Sequence, residues 1–520
     1  PKTVVRLGGP MNSSSSTMYG STFYSCSELT EVVFEEGSEL EYIYSSAFYQ
    51  CKKLSDIVIP DGVLKIDNSA FQYTAITSVT IPATVTEIGT TAFGYCTSLK
   101  EVNFAEGSAL TKINNYAFRN TVLESFAFPE TSASKLTLGT NLFYGVQTLK
   151  TVHLSSDVSA LDNVFTGCTS IEGFTIDEGN QNFSVKEDEN ILYNKDQTAV
   201  RFLFGENSGT VLIPEGTTEI SDRAFAGQAS MTKVILPSTI RTIGKYAFLN
   251  CWNLQDVVFN EGCPSLTEIK DYTFQYCIAL KNIDLPSKVT KIGQYAFSNC
   301  ISLESFTLGG TTDIGNYVFQ GTTSLVNANL PATLKTIGNY VFQRSGLKTI
   351  TIPKSVTKLG NYVFDSSELT TITFESGSAL TSFGTNVFKA SKLQKITIPE
   401  KVTTLGKNMF QNCYELEEVK FDGVKVTAIP QYCFQNCSAL KTVELPSSVK
   451  TIDTYAFDAC TSLETFEFPA AITGVKGYVF RGCTALKRIE IPATITILSE
   501  YLFQNCTSLS EVVFPNTLKR

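Results

Sequence analysis

The chain has 520 residues, 43% of them hydrophobic and 18% charged, with a formal net charge of −9 and an isoelectric point near 5.1. Wholesale disorder is excluded, because there is enough apolar side chain for a large core. No block of five like charges and no run of about 18 apolar residues occurs, which argues against nucleic acid or an anionic membrane surface as the main partner and against a bilayer-spanning helix.

The opening stretch, PKTVVRLGG, lacks the apolar segment of a signal peptide. Pro1 aligns with Pro353 of PKSVTKLGN, so the chain opens just past the place of a strand, and its last stretch, VVFPNTLKR, aligns with LPATLKT at 330–336. Both ends read either as cut from a longer array or as disordered or sequence-divergent caps. Asn12, Asn182, Asn436 and Asn505 begin N-x-S/T sequons, a number near chance for a chain this rich in Asn, Ser and Thr.

From Phe23 a phenylalanine returns at Phe48, Phe71, Phe93, Phe118, Phe143 and Phe165, then at Phe225, Phe248 and onward to Phe503, usually 22 or 23 residues apart and at most 26 within each run. A unit this short cannot bury its own apolar face, so the period predicts a stacked solenoid. In IGKYAFLNCWNLQDVVF at 243–259, LxxVxF alternates apolar and polar residues and reads as one short parallel strand per repeat. The AFxxC stretch fits a turn and a short helical segment that returns the chain. Additions such as FEEGSEL after Phe34 and FESGSAL after Phe374 fall just past the strand, in polar, Gly-containing loops.

His153, on TVHL, is the chain's one histidine; it reads as a surface strand residue, and a His-based triad or proton shuttle has no other residue to use. From Phe165 to Phe225 the period lapses, and ENILY and AVRFLF flank NKDQT, a hairpin signal. The expected organisation is an N-terminal repeat arc over 1–166, a β-hairpin island over 167–213 and a C-terminal arc over 214–520. Within the second arc IGNYVFQ stands at both 314–320 and 337–343, with LGNYVFD at 359–365. Its glycine is expected to make a turn, its tyrosine to cover the core from the convex side, and its phenylalanine to pack between coils.

Twelve of 14 cysteines lie three residues after the repeat phenylalanine; Cys263 and Cys433 depart from that register. In a chain with this much core they read as free, buried small hydrophobes, and CFQNC at 433–437 lacks the second half of a zinc site. No P-loop and no HExxH occurs, so neither a metal nor a cofactor is expected.

The recurrent pattern, seen as LKNIDLPSKVTKIGQYAFSNC at 280–300, resembles the BspA-like leucine-rich repeats, and the ILYNKDQT island resembles an interruption common in that family. The resemblance covers nearly the whole chain. It implies a repeat solenoid, α/β to mainly β, shaped as a leucine-rich-repeat arc, and a cell-surface or secreted protein that adheres to host proteins or other cells. Export signal and anchor would then lie outside this segment.

Some twenty strands about 4.8 Å apart would present a face on the order of 100 Å long. Its outward positions include Asn327 and Asn329, Thr349 and Thr351, Thr371 and Thr373, Lys395 and Thr397, Glu418 and Lys420, Thr442 and Glu444, Thr465 and Glu467, and Arg488 and Glu490. Threonine also serves β-propensity and solubility, so the face reads either as plain strand surface or as a polar docking surface for an extended partner. Glu444, Glu467 and Glu490 are expected in one ladder, with Lys420 and Arg488 near enough to compensate them. Two functions follow: a non-enzymatic protein that binds a host, matrix or neighbouring-cell protein through this face, or a structural protein that self-associates laterally or end to end.

Overall fold

The computed structural model describes residues 6–7, 21–133 and 135–518. The alignment of Pro1 with Pro353 and the Asn12 sequon lie outside the described residues. The chain divides into two compact units, residues 1–208 with 216–230, and residues 209–215 with 231–520.

One coil of the second unit shows how the repeat is built. Thr349–Ile352 alternates exposed and buried residues and pairs in parallel with Thr371–Phe374, Thr349 opposite Thr371 and Ile350 opposite Ile372. A second, two-residue strand, Lys358–Leu359, pairs with Thr336–Ile337 of the preceding coil. Each such coil thus carries two strand segments where the sequence pattern shows one. A two-residue strand is too short to display an alternation.

The return segment is not helical. Around Phe342, the N–H groups of Tyr340, Phe342 and Arg344 donate to the carbonyls of Asn361, Val363 and Asp365 in the next coil, at 2.8, 2.8 and 3.0 Å. Between them, the N–H groups of Gln343 and Ser345 bond back three residues to the carbonyls of Tyr340 and Phe342. Overlapping turns therefore replace the expected helix, because alternate amides point sideways to a neighbour instead of along a helix axis. That arrangement needs left-handed residues, and Tyr340 and Arg344 supply them at φ +60° and +54°.

The turn expected of glycine is accordingly made by tyrosine. Gly315, Gly338 and Gly360 do not have positive φ. A Cβ on Gly338 would lie 2.7 Å from the carbonyl carbon of Gly315 and 2.9 Å from the nitrogen of Asn316, so glycine is required by the closeness of the coils. The turn is made by Tyr246, Tyr272, Tyr295, Tyr317, Tyr340 and Tyr362, all at φ between +57° and +60°. A left-handed conformation strains a bulky residue by about 1–3 kcal/mol. Stacking offsets part of it: the six rings form one ladder with centroids 4.4–4.8 Å apart.

Behind the tyrosines run the phenylalanines. In the second unit their rings stack from Phe248 through Phe274, Phe297, Phe319 and Phe342 with centroids 5.1–5.6 Å apart, all fully buried. Full burial of each contributes roughly 1.5–3 kcal/mol. The first unit repeats the arrangement from Phe23 to Phe165. Its parallel ladder reaches Gly173–Ile176, after which Phe183–Lys186, Ile191–Asn194 and Ala199–Leu203 form an antiparallel sheet. The hairpin read from NKDQT is present, with one more strand than expected. Its turn is closed by the Asn194 side-chain oxygen, which accepts from the N–H groups of Thr198 and Ala199. Ala199–Leu203 then pairs in parallel with Glu219–Ile220, returning the chain to the array.

Gly338→Ala is expected to lower the urea midpoint by the equivalent of about 1–3 kcal/mol, as overpacking does. Gly474→Ala, whose added Cβ would meet only Thr451 Cγ2 at 3.7 Å, should leave it within experimental error. Denaturation followed by circular dichroism compares them.

Candidate protein-binding face

In the second unit the outward strand positions are where alternation puts them. Asn327, Asn329, Thr349, Thr351, Thr371, Thr373, Lys395, Thr397, Glu444, Glu467 and Glu490 are all exposed, while the residues between them, Ala328, Ile350, Ile372, Ile396, Val443, Phe466 and Ile489, are buried. Parallel register aligns Asn327, Thr349, Thr371, Lys395 and Glu418 across five coils. Thr349 Oγ1 donates to Asn327 Oδ1 at 2.9 Å.

Several charges on this face are paired locally. Glu418 lies 3.4 Å from Lys420 and 4.0 Å from Lys395, and Arg488 contacts Glu490 at 3.3 Å and Glu511 at 3.2 Å. Thr465 bridges to Arg488, which sets Glu467 in register with Glu490. Residues 441–446 form no strand, so Glu444 lies outside any regular ladder.

The face is not flat. A cleft of about 460 Å³ is lined by Asn327, Asn329, Thr349, Thr351, Thr371 and Thr373, with Glu375 at its end. Thr373 and Glu375 also line a second cleft of about 430 Å³ that continues past Thr397 to Glu400, Lys401 and Asp422. The two form one trough whose floor is hydroxyls and amides and whose far end is charged. Sequence alternation located the strand positions but missed Glu375, Glu400, Lys401 and Asp422. These sit in the loops after the strands, and the position of such insertions was the only available signal.

His153 lies in the first unit on Thr151–Leu154, half exposed, with Nδ1 2.9 Å from Thr175 Oγ1 and Nε2 3.0 Å from Asp177 Oδ1. It ties two neighbouring coils together on the surface. Among the described residues no group of three or more His, Cys, Asp and Glu is placed to hold a metal ion, and no helix is long and apolar enough to cross a membrane.

The cysteines are free thiols, buried apart from Cys26 and, in part, Cys506. Their work is structural. Cys277, Cys300, Cys437 and Cys460 each donate Sγ–H to the carbonyl of the repeat phenylalanine one coil back, Phe248, Phe274, Phe410 and Phe434, at 3.1–3.2 Å. In the units that lack the cysteine, Thr74, Thr121 and Ser367 occupy its place and donate to Phe71, Phe118 and Phe364 of their own coil. Burial pushes the Cys96 thiol up to about 11 and the Cys300 and Cys413 thiols up to about 12. A reactive thiolate at neutral pH is thereby disfavoured.

Parallel strands stacked at a fixed period, an interior phenylalanine ladder and an exposed strand face define a leucine-rich-repeat solenoid. The chain belongs to the BspA-type leucine-rich repeat family, whose repeat region matches residues 16–136, 65–189, 202–323, 312–441 and 427–520. Among solved structures it is similar to a leucine-rich repeat protein from Bacteroides ovatus, at 26% identity over 65% of this chain and 96% of that one, with a TM-score of 0.44. It is also similar to a leucine rich cell surface protein from Faecalibacterium prausnitzii, at 24% identity over 64% of this chain and 93% of that one, with a TM-score of 0.40. The pneumococcal vaccine antigen PcpA matches at 19% identity over 74% of this chain and 78% of that one, with a TM-score of 0.38. No curated protein matches the chain.

The raised thiols fix a pH dependence. A thiol that holds its proton more tightly when folded contributes stability below its unfolded value of about 9, and that contribution is lost as pH rises through the folded value, about 12 for Cys300. The thermal midpoint should therefore fall as pH rises from 9 towards 12. Cys300→Ser should show a shallower fall in the same scan, and an unchanged slope would contradict this assignment.

Proposed function

We propose that this chain is a non-enzymatic, cell-surface or secreted protein that binds a protein partner along the strand face of its second unit. The observation that carries the reading is the trough from Asn327 to Asp422, where exposed hydroxyls and amides sit at strand spacing on consecutive coils. Such a floor offers donors and acceptors to a main chain at regular intervals, which suits an extended polypeptide. The Lys401 and Asp422 end gives it direction. Few aromatics stand on this face, so a sugar-stacking groove is the poorer fit. Leucine-rich repeats generally mediate protein–protein contacts, and membership in the BspA-type family supports the cell-surface or secreted reading.

The test is binding of the purified chain to immobilised matrix and cell-surface proteins, compared with a Thr351→Arg/Thr373→Arg variant. Two bulky cations on the trough floor should reduce the response at least about tenfold, as the loss of an interface centre does. They should leave the melting temperature unchanged, since both side chains are exposed. Equal binding by the variant, or a chain that forms ordered polymers and binds none of these proteins, would favour self-assembly instead.

A further inference from the structure

The strand face of the first unit has a different chemistry at its first two described coils. Residues 31–34 read EVVF and residues 56–59 read DIVI, and by alternation Glu31, Val33, Asp56 and Val58 point outwards. Val33 and Val58 are each 75% exposed, where the coils that follow place Thr80 and Asn103. Between the two segments lies a cleft of about 650 Å³, also lined by Glu35, Glu36 and Asp61, and no lysine or arginine lines it. Among the described residues none of these five carboxylates is in an ion pair, in contrast to Glu418 and Glu490 of the second unit. Nor, among the described residues, do residues 30–34 or 56–59 make backbone ladder bonds, whereas Ser78–Ile81 and Glu101–Phe104 are fully paired.

We propose that this cleft binds an extended, basic polypeptide segment in which lysines or arginines alternate with aliphatic residues. In an extended segment alternate side chains share one face, at about 6.6–6.8 Å spacing, so one face can meet the valines while flanking cations reach the carboxylates. The exposed valines supply the apolar contact, and five unpaired carboxylates on two neighbouring coils supply a field that a cationic partner relieves. Unbonded main-chain groups beside the cleft add donors and acceptors for the partner's backbone. No three of the acids are grouped tightly enough for a metal ion, so their negative charge suits cations carried on a chain better than a single bound ion. The site does not depend on the trough of the second unit.

The test uses the whole chain and a labelled short peptide alternating lysine and valine, titrated by fluorescence anisotropy at low salt. Saturable binding is expected, weakened about tenfold by Glu31→Gln/Asp56→Asn and to a similar degree by Val33→Ser/Val58→Ser. Glu467→Gln/Glu490→Gln, on the second unit, should bind as the unaltered chain does, and a glutamate–valine peptide should not bind. Undiminished binding by either first-unit variant, equal loss in the second-unit variant, or equal binding of the acidic peptide would overturn the proposal. All six positions are exposed, so a melting curve matching the unaltered chain is expected of each variant.

Discussion

Each coil lies close to its neighbour at the return turn, and from Gly315 to Gly406 so close that there is no room there for a side chain. This approach sets the terms for the rest of the structure. Glycine stands at Gly315, Gly338, Gly360 and Gly384 because a Cβ would enter the backbone of the preceding coil, at 2.4–2.8 Å from its nearest atom. Closeness lets alternate amides cross between coils, and crossing amides in turn hold tyrosines in a conformation they would not adopt alone. The same spacing stacks the phenylalanines and brings cysteines such as Cys300 within reach of the carbonyl one coil back. Ladder hydrogen bonds, aromatic stacking and thiol donation are three results of one distance.

A structure so constrained inside leaves its variation outside. Interior positions of every strand repeat a small set of aliphatic and aromatic residues, since each must fit between two near-identical neighbours. Outward positions carry no such condition, and there the two units diverge. The second unit offers hydroxyls and amides along a trough with charges of both signs at one end, and the first offers unpaired carboxylates around two exposed valines. The scaffold is shared, and the chemistry presented to a partner is local.

Much of this was legible in the sequence. The period gave the coil, the alternation in TITI placed Thr349 and Thr351 outwards, and NKDQT marked an antiparallel turn. The return segment reads as helical because its apolar spacing is compatible with a helix, and nothing in GNYVF signals that tyrosine takes the positive φ. That conformation is imposed by the adjacent coil, not by the residue's own preference. Glycine reads as the turn residue for the same reason: its usual freedom of φ is visible in the sequence, and the crowding that selects it is not. The clefts were also out of reach, because they depend on how far loops such as those at Glu375 and Glu35 stand from the strands.

The dependence of the fold on the crossing amides can be measured directly by native-state hydrogen exchange. The N–H groups of Phe319, Phe342 and Phe364 bond to Val341, Val363 and Val387 of the next coil at 3.0, 2.8 and 2.8 Å. They should exchange as slowly as the strand amides of Ile350 and Ile372, opening only with the whole unit. Exchange at the rate of an exposed loop, with the strands still protected, would contradict a solenoid held together at its turns.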